Sequence, residues 1–147
     1  MLSIEKLHFK IGIGATYWKK VPTYSILIND HAIFTKNKIE TASGDVGYVE
    51  FDVDVSEGPF ALHIRLENKD HTDTRLNGDE IIKDMLLNII SVEIDEINLG
   101  DMLYTHGTFV GDDTTRPVLE RCLHLGWNGT WTLPFNSPFY IWVLENI

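Results

Sequence analysis

The stretch from Tyr48 to Glu67 limits this chain's fold more than any other. Val49, Phe51, Val53 and Val55 alternate with Glu50, Asp52 and Asp54. After Ser56-Glu57-Gly58-Pro59, Phe60, Leu62, Ile64 and Leu66 alternate with Ala61, His63, Arg65 and Glu67. Alternation of this length has the period of a strand with one dry face and one wet face. A one-residue slip would turn every apolar side chain into water. The segment reads as a β-hairpin pairing Val55 with Phe60, Val53 with Leu62, Phe51 with Ile64 and Val49 with Leu66. Its wet face would set Glu50 opposite Arg65 and Asp52 opposite His63, so that opposite charges meet.

Other segments follow the same rule. Leu7, Phe9, Ile11 and Ile13 alternate with His8, Lys10, Gly12 and Gly14 and predict a first strand. Tyr24, Ile26 and Ile28 make a second, and Ala32 to Thr35 a third with Ile33 opposite Ile26. Asn29-Asp30 joins them, because both residue types tolerate positive φ. Leu86 to Asp95 is rich in β-branched residues and reads as a strand. The polar stretches Lys36 to Asp45, Asn68 to Asp79 and Gly100 to Pro117 predict loops, the second with a short ribbon at Asn77-Gly78 as an alternative.

Asn128-Gly129 predicts a tight turn pairing Trp127 with Thr130, Gly126 with Trp131 and Leu125 with Thr132. The last nine residues, Phe139 to Ile147, read as a final strand. The sum is eight or nine strands without strand–helix alternation. That predicts an all-β antiparallel β-sandwich, jelly-roll-like or Greek-key, with residues 1–147 as a single domain. Its expected core includes Phe51, Val53, Leu62, Ile64, Trp131 and Leu133.

Lys and Arg number 12 against 22 Asp and Glu, a net charge of −10. That excludes a basic nucleic-acid-binding stripe. No apolar run is long enough to span a membrane, and no secretory signal opens the chain, so synthesis in the cytoplasm is expected. Cys122 is the only cysteine, which rules out an internal disulfide. Its apolar neighbours predict a buried filler.

The candidate chemistry lies in loops. Lys69-Asp70-His71-Thr72-Asp73-Thr74 and Gly111-Asp112-Asp113-Thr114 offer hard oxygen ligands, making calcium a candidate cofactor at Asp70, Asp73, Asp112 and Asp113. Regular ligand spacing is missing, and solvated polar loops with Asx turns are the plain alternative. Asp52 and His63 form an acid–base pair on paper, but no third group completes a catalytic set. No two of the six histidines show ligand spacing. Asn128-Gly129-Thr130 matches a glycosylation acceptor but reads as a turn. The expectation is a protein that is not an enzyme.

Trp18 and Trp127 are the candidates for a sugar-stacking surface, with Trp131 and Trp142 expected inside. The hairpin around Asn128-Gly129 carries apolar side chains on both faces. One sandwich core absorbs one face, so Leu125, Trp127 and Tyr140 are candidates for an interface with another protein subunit, of the same kind or a different one. The alternative cover is internal, from Tyr104 and Phe109.

The run Phe51-Asp52-Val53-Asp54-Val55 with Gly58 to Leu66 resembles carbohydrate-binding modules of the jelly-roll type. That resemblance implies calcium-assisted binding of a glycan. A second likeness spans more of the chain. Asp73-Thr74, Ile94-Asp95-Glu96-Ile97-Asn98-Leu99-Gly100, Leu125 to Trp131 and Pro138-Phe139-Tyr140-Ile141-Trp142 resemble small virion-type β-sandwich proteins of large tailed phages, notably those infecting marine cyanobacteria. It implies a non-catalytic structural or binding component of the virus particle, on the capsid or tail, with no catalytic residues to carry over.

Overall fold

The computed structural model describes residues 3–147. In chain order the strands are β1 (Ile4–Thr16), β2 (Thr23–Ile28), β3 (His31–Lys38), β4 (Val46–Ser56), β5 (Gly58–Leu66), β6 (Arg75–Asn77), β7 (Glu80–Lys83), β8 (Leu86–Ile94), β9 (Ile97–Asn98), β10 (Thr108–Gly111), β11 (Leu119–Glu120), β12 (His124–Leu125) and β13 (Gly129–Ser137). A 3-10 turn covers His71–Asp73, and helices α1 (Met102–His106) and α2 (Phe139–Asn146) complete the chain.

Two antiparallel sheets face each other. One runs β12-β8-β1-β4, with β9 added to β8; the other runs β11-β10-β13-β5-β2-β3. The pair β6–β7 is a separate ribbon. This is the all-β sandwich that alternation predicts. Its core lies between the sheets, because one row of each strand is dry. Leu7, Phe9, Ile11 and Ile13 point in from β1, Leu62, Ile64 and Leu66 from β5, and Trp131, Leu133 and Phe135 from β13. Phe9 meets Phe135 across the layers edge to face at 6.4 Å. Phe51 and Val53 also face inward but stay half-buried, because β4 is the outermost strand of its sheet.

The expected hairpin from Tyr48 to Glu67 is not one. β4 pairs with β1, whereas β5 pairs with β2 and β13 in the other sheet. The chain turns over at Gly58, with φ of +114°, and crosses the sandwich. Alternation states which row is dry, and a hairpin and a crossing satisfy it equally. Asp52 and His63 therefore sit on different sheets. Asp52 accepts from the His8 ring at 2.7 Å, and His63 meets Thr132.

The turn near the C-terminus is likewise no hairpin. β12 pairs with β8, while β13 lies between β5 and β10. Asn128-Gly129 is again a crossing, and Trp131 covers Gly107 rather than Gly126. A Cβ at Gly107 would stand 2.6 Å from the indole. Phe139–Asn146 is a helix, not a strand: Phe139, Trp142 and Val143 are buried at helical spacing. The segment from Gly100 to Pro117 holds α1 and β10 instead of a plain loop.

The β2–β3 hairpin forms as read, with Asn29 at φ +52° in its turn. An irregularity in its ladder sets Ile26 opposite Phe34, not Ile33. β8 and the ribbon at Asn77-Gly78 also form as read. Cys122 is half-exposed, not a buried filler, and its thiol faces the His124 carbonyl at 3.2 Å.

Candidate functional site

Two side-chain amides build one end of the sandwich. The Lys69 amide donates to Asn128 Oδ1, and Asn128 Nδ2 donates to the Lys69 carbonyl, both at 2.9 Å. Asn128 thus extends the β5–β13 ladder one step beyond the Leu66–Gly129 pair, with a side chain in place of backbone. Asn68 does the same for β2. Its Oδ1 accepts from Thr23 N at 2.9 Å and its Nδ2 donates to Val21 O at 3.0 Å. Glycine is required at 129, since a Cβ would press on the Val110 carbonyl and stand 2.7 Å from Gly111 Cα.

Lys69 then turns inward. Its ammonium donates to Asp84 Oδ1 at 2.7 Å and to the Gly126 carbonyl at 2.6 Å. Both side chains are largely covered, so each charge depends on the other. Burial pushes the Asp84 carboxyl up, but bonds from Lys69, Thr74 and the Met85 amide outweigh it and leave it below the usual carboxylate range. The pair ties the loop after β5 to the segment before β8, and the bond to Gly126 ties it to the crossing that carries Trp127.

The turn in the loop from Lys69 to Thr74 opens on a reciprocal capping box. Asp70 accepts from the Thr72 amide at 2.8 Å, and Asp73 accepts from the Asp70 amide at 2.8 Å. Lys20 reaches both carboxylates, at 2.9 and 3.0 Å. The Lys20 and Thr72 contacts hold the Asp70 carboxyl far below the usual range. Trp18 donates its indole N–H to the Asp73 carbonyl at 2.8 Å, and Lys83 sits over its ring.

These supports frame a cleft of about 400 Å³ lined by Lys69, Asp70, His71, Thr74, Asp112, Asp113, Arg116, Gly126, Trp127 and Asn128. Its walls come from three segments far apart in sequence. Trp127 packs one ring face toward Phe109 at 5.7 Å, and Arg116 lies over the ring with its guanidinium 4.3 Å from the centroid. The indole N–H is buried against Gly111, where a Cβ would stand 2.5 Å away. Trp127 therefore offers the cleft ring carbon rather than a donor. Arg65 holds Asp112 at 3.0 Å, and the Thr115 hydroxyl and amide hold the Asp113 carboxyl down.

The structure thus brings Asp70, Asp112, Asp113 and Trp127 to one cleft. Asp73 is buried behind the turn, and Trp18 serves the loop without lining the cleft. Lys20 is shared by Asp70 and Asp73, Arg65 holds Asp112 and Thr115 holds Asp113. Among the described residues no group of three His, Cys, Asp or Glu could hold a metal ion. The three residues expected at an interface do not share a surface. Leu125 is fully buried, because β12 places it between the sheets, and Trp127 is covered internally by Phe109. Tyr140 is exposed on α2 and Tyr104 on α1, so the internal cover comes from Phe109. Sequence reasoning missed Lys69, His71, Arg116 and Asn128 as cleft residues. Lys69 and His71 stood in the sequence only as neighbours of the acids in their loop, and Asn128 only as a turn residue.

Comparison with protein-family models, with curated proteins and with solved structures found no match in any of the three.

Proposed function

We propose that this chain is a non-catalytic binding module, a component of a tailed-phage particle, whose Trp127 cleft takes a glycan without calcium. The observation that carries the reading is the convergence at one cleft of an indole, fixed carboxylates and an amide. Apolar ring faces receive the C–H face of a sugar, and oriented polar groups read its hydroxyls. Two of its carboxyls are held low, which supports binding over general-acid hydrolysis. Asp70 and Asp113 are held ionised by their partners, whereas a general acid needs its carboxyl raised toward the working pH. The particle assignment rests on the resemblance of the segments from Asp73 to Trp142 to virion-type proteins.

The test is a glycan array in chelator, followed by calorimetry of any hit with the wild type and Trp127→Ala. Binding that persists in chelator and falls at least about tenfold in Trp127→Ala supports the reading. Binding that vanishes in chelator would restore the calcium-assisted alternative. A blank array, or binding unaffected by Trp127, would remove the cleft as the site.

A further inference from the structure

The second surface is the free edge of β4. This strand is 11 residues long and regular in its ladder to β1. It ends its sheet, with no partner on its far side among the described residues. Long regular edges invite a further strand, and proteins blunt them with bulges, proline or a covering loop. β4 has no proline and no register shift against β1. By contrast β3, the neighbouring edge of the opposite sheet, carries Lys36 and Lys38 and two register shifts.

The direction of the β4 backbone follows from its neighbour. The His8 carbonyl accepts from the Asp95 amide at 2.9 Å and the His8 amide donates to Asp95 Oδ1 at 2.8 Å, so His8 turns its backbone toward β8. Residues opposite one another in an antiparallel pair share their bonding sense. Asp52 is opposite His8, Glu50 opposite Lys10 and Asp54 opposite Lys6. The N–H and C=O groups of Glu50, Asp52 and Asp54 therefore point off the sheet, ready for a ladder.

Side chains state what that ladder would accept. The outer row runs acid, base, acid across three strands: Glu93 on β8 lies opposite Lys10 on β1, which lies opposite Glu50 on β4. His8 bridges Glu50 and Asp52 at 3.1 and 2.7 Å. The next row in this alternation is basic. A second copy of the chain pairing edge to edge would set acid against acid, which is unfavourable. The inner row of β4, Val49, Phe51 and Val53, is half-buried. It borders two clefts between the sheet edges, one of about 380 Å³ beside Asn37 and Thr41 and one of about 540 Å³ beside His31 and Phe60. Phe34 meets Phe51 edge to face at 5.9 Å between them.

We propose that β4 is a docking edge for an extended segment of a partner protein in which apolar and basic residues alternate. The segment adds a strand along Tyr48 to Asp54. Its basic row faces Glu50, Asp52 and Asp54, and its apolar row covers Val49, Phe51 and Val53. Main-chain bonds supply the attachment and the two rows the selectivity.

The probe is a synthetic peptide of about eight alternating valine and lysine residues, a length typical of strands. Controls are a valine–glutamate peptide and the same peptide N-methylated at alternate positions on the edge it presents. The valine–lysine peptide is expected to bind, to protect the amides of Glu50, Asp52 and Asp54 from exchange, and to weaken about tenfold or more between about 0.05 and 0.5 M salt. N-methylation is expected to abolish binding with the protein unchanged. The combined variant Glu50→Lys, Asp52→Lys and Asp54→Lys, if folded by circular dichroism, is expected to switch to the valine–glutamate peptide. Equal binding of both peptides to the wild type, binding that survives N-methylation, protection confined to the Trp127 cleft, or a wild-type dimer built through β4 in sedimentation would overturn the proposal. A glycan result at Trp127 leaves this edge unaffected, so the two readings fail separately.

Discussion

At the scale of single residues, the molecule depends most on the Lys69–Asp84 pair. Lys69 is at once a ladder partner of Asn128, a donor to Gly126 and the counter-ion of Asp84. Lys69→Met leaves Asp84 largely covered and unpaired, which costs on the order of 3 kcal/mol. Urea denaturation measures it, and the double variant with Asp84→Leu is expected to recover much of the loss. Arg116 is the converse case, an exposed guanidinium on an indole, where such contacts are worth about 0.5–1 kcal/mol. If a sugar stacks on Trp127, Arg116 must leave the ring, so Arg116→Ala is expected to tighten binding about 2–5-fold by calorimetry. Weaker binding in that variant would mean that Arg116 itself holds the ligand.

His8 supplies the pH dependence. The hydrogen bond to Asp52, then that to Glu50, raises its pKa above the ordinary histidine value. The charged ring is thus favoured in the folded state. Its contribution to stability is complete below about pH 6.5, the unfolded value, and is lost as pH rises through the higher folded value. NMR titration of the His8 ring is expected to show a midpoint above about 6.5, and His8→Gln to flatten the fall in urea midpoint over that window. A midpoint at or below the ordinary value would show that the carboxylates do not hold the ring.

At the scale of elements, α2 separates two periodicities. In a strand, Trp142 and Leu144 would share a face; in the helix Trp142 and Val143 are buried and Leu144 is exposed. Leu144→Glu is therefore expected to stay within about 0.5 kcal/mol of wild type. Val143→Glu buries a charge without a partner and is expected to cost several times more. Equal costs, measured by denaturation, would favour the strand. The final segment was misread because β-branched and aromatic residues dominate it, and propensity is a weaker guide than the face a neighbour leaves open. The β2–β3 hairpin was legible because its turn chemistry and its apolar rows agree. The ladder irregularity between Tyr24 and Leu27 was not, since no turn or apolar row in the sequence marks it.

For the whole molecule, the pairings are remote in sequence. β1 joins β4 and β8, and β13 joins β5. Closing such long loops precedes the contacts that reward it, so folding is expected in the millisecond-to-second range typical of sandwiches. Stopped-flow refolding checks this, and a microsecond phase carrying the full amplitude would contradict it.

By itself the sequence determined which rows are dry. Val55, Phe60, Leu62, Ile64, Leu66, Trp131 and Leu133 are buried as alternation requires, because side-chain period and burial are local facts of a strand. It did not determine neighbours. The turns at Gly58 and Asn128-Gly129 permit a hairpin or a crossing between sheets, and each choice buries the same side chains. Only the tertiary structure decided, because β4 found its ladder partner in β1 and β5 found its partners in β2 and β13. That decision also made the cleft. Asp70, Asp112 and Trp127 were visible one at a time, and Lys69, His71, Arg116 and Asn128 were not. Their proximity comes from two crossings and a buried ion pair, which no local spacing records.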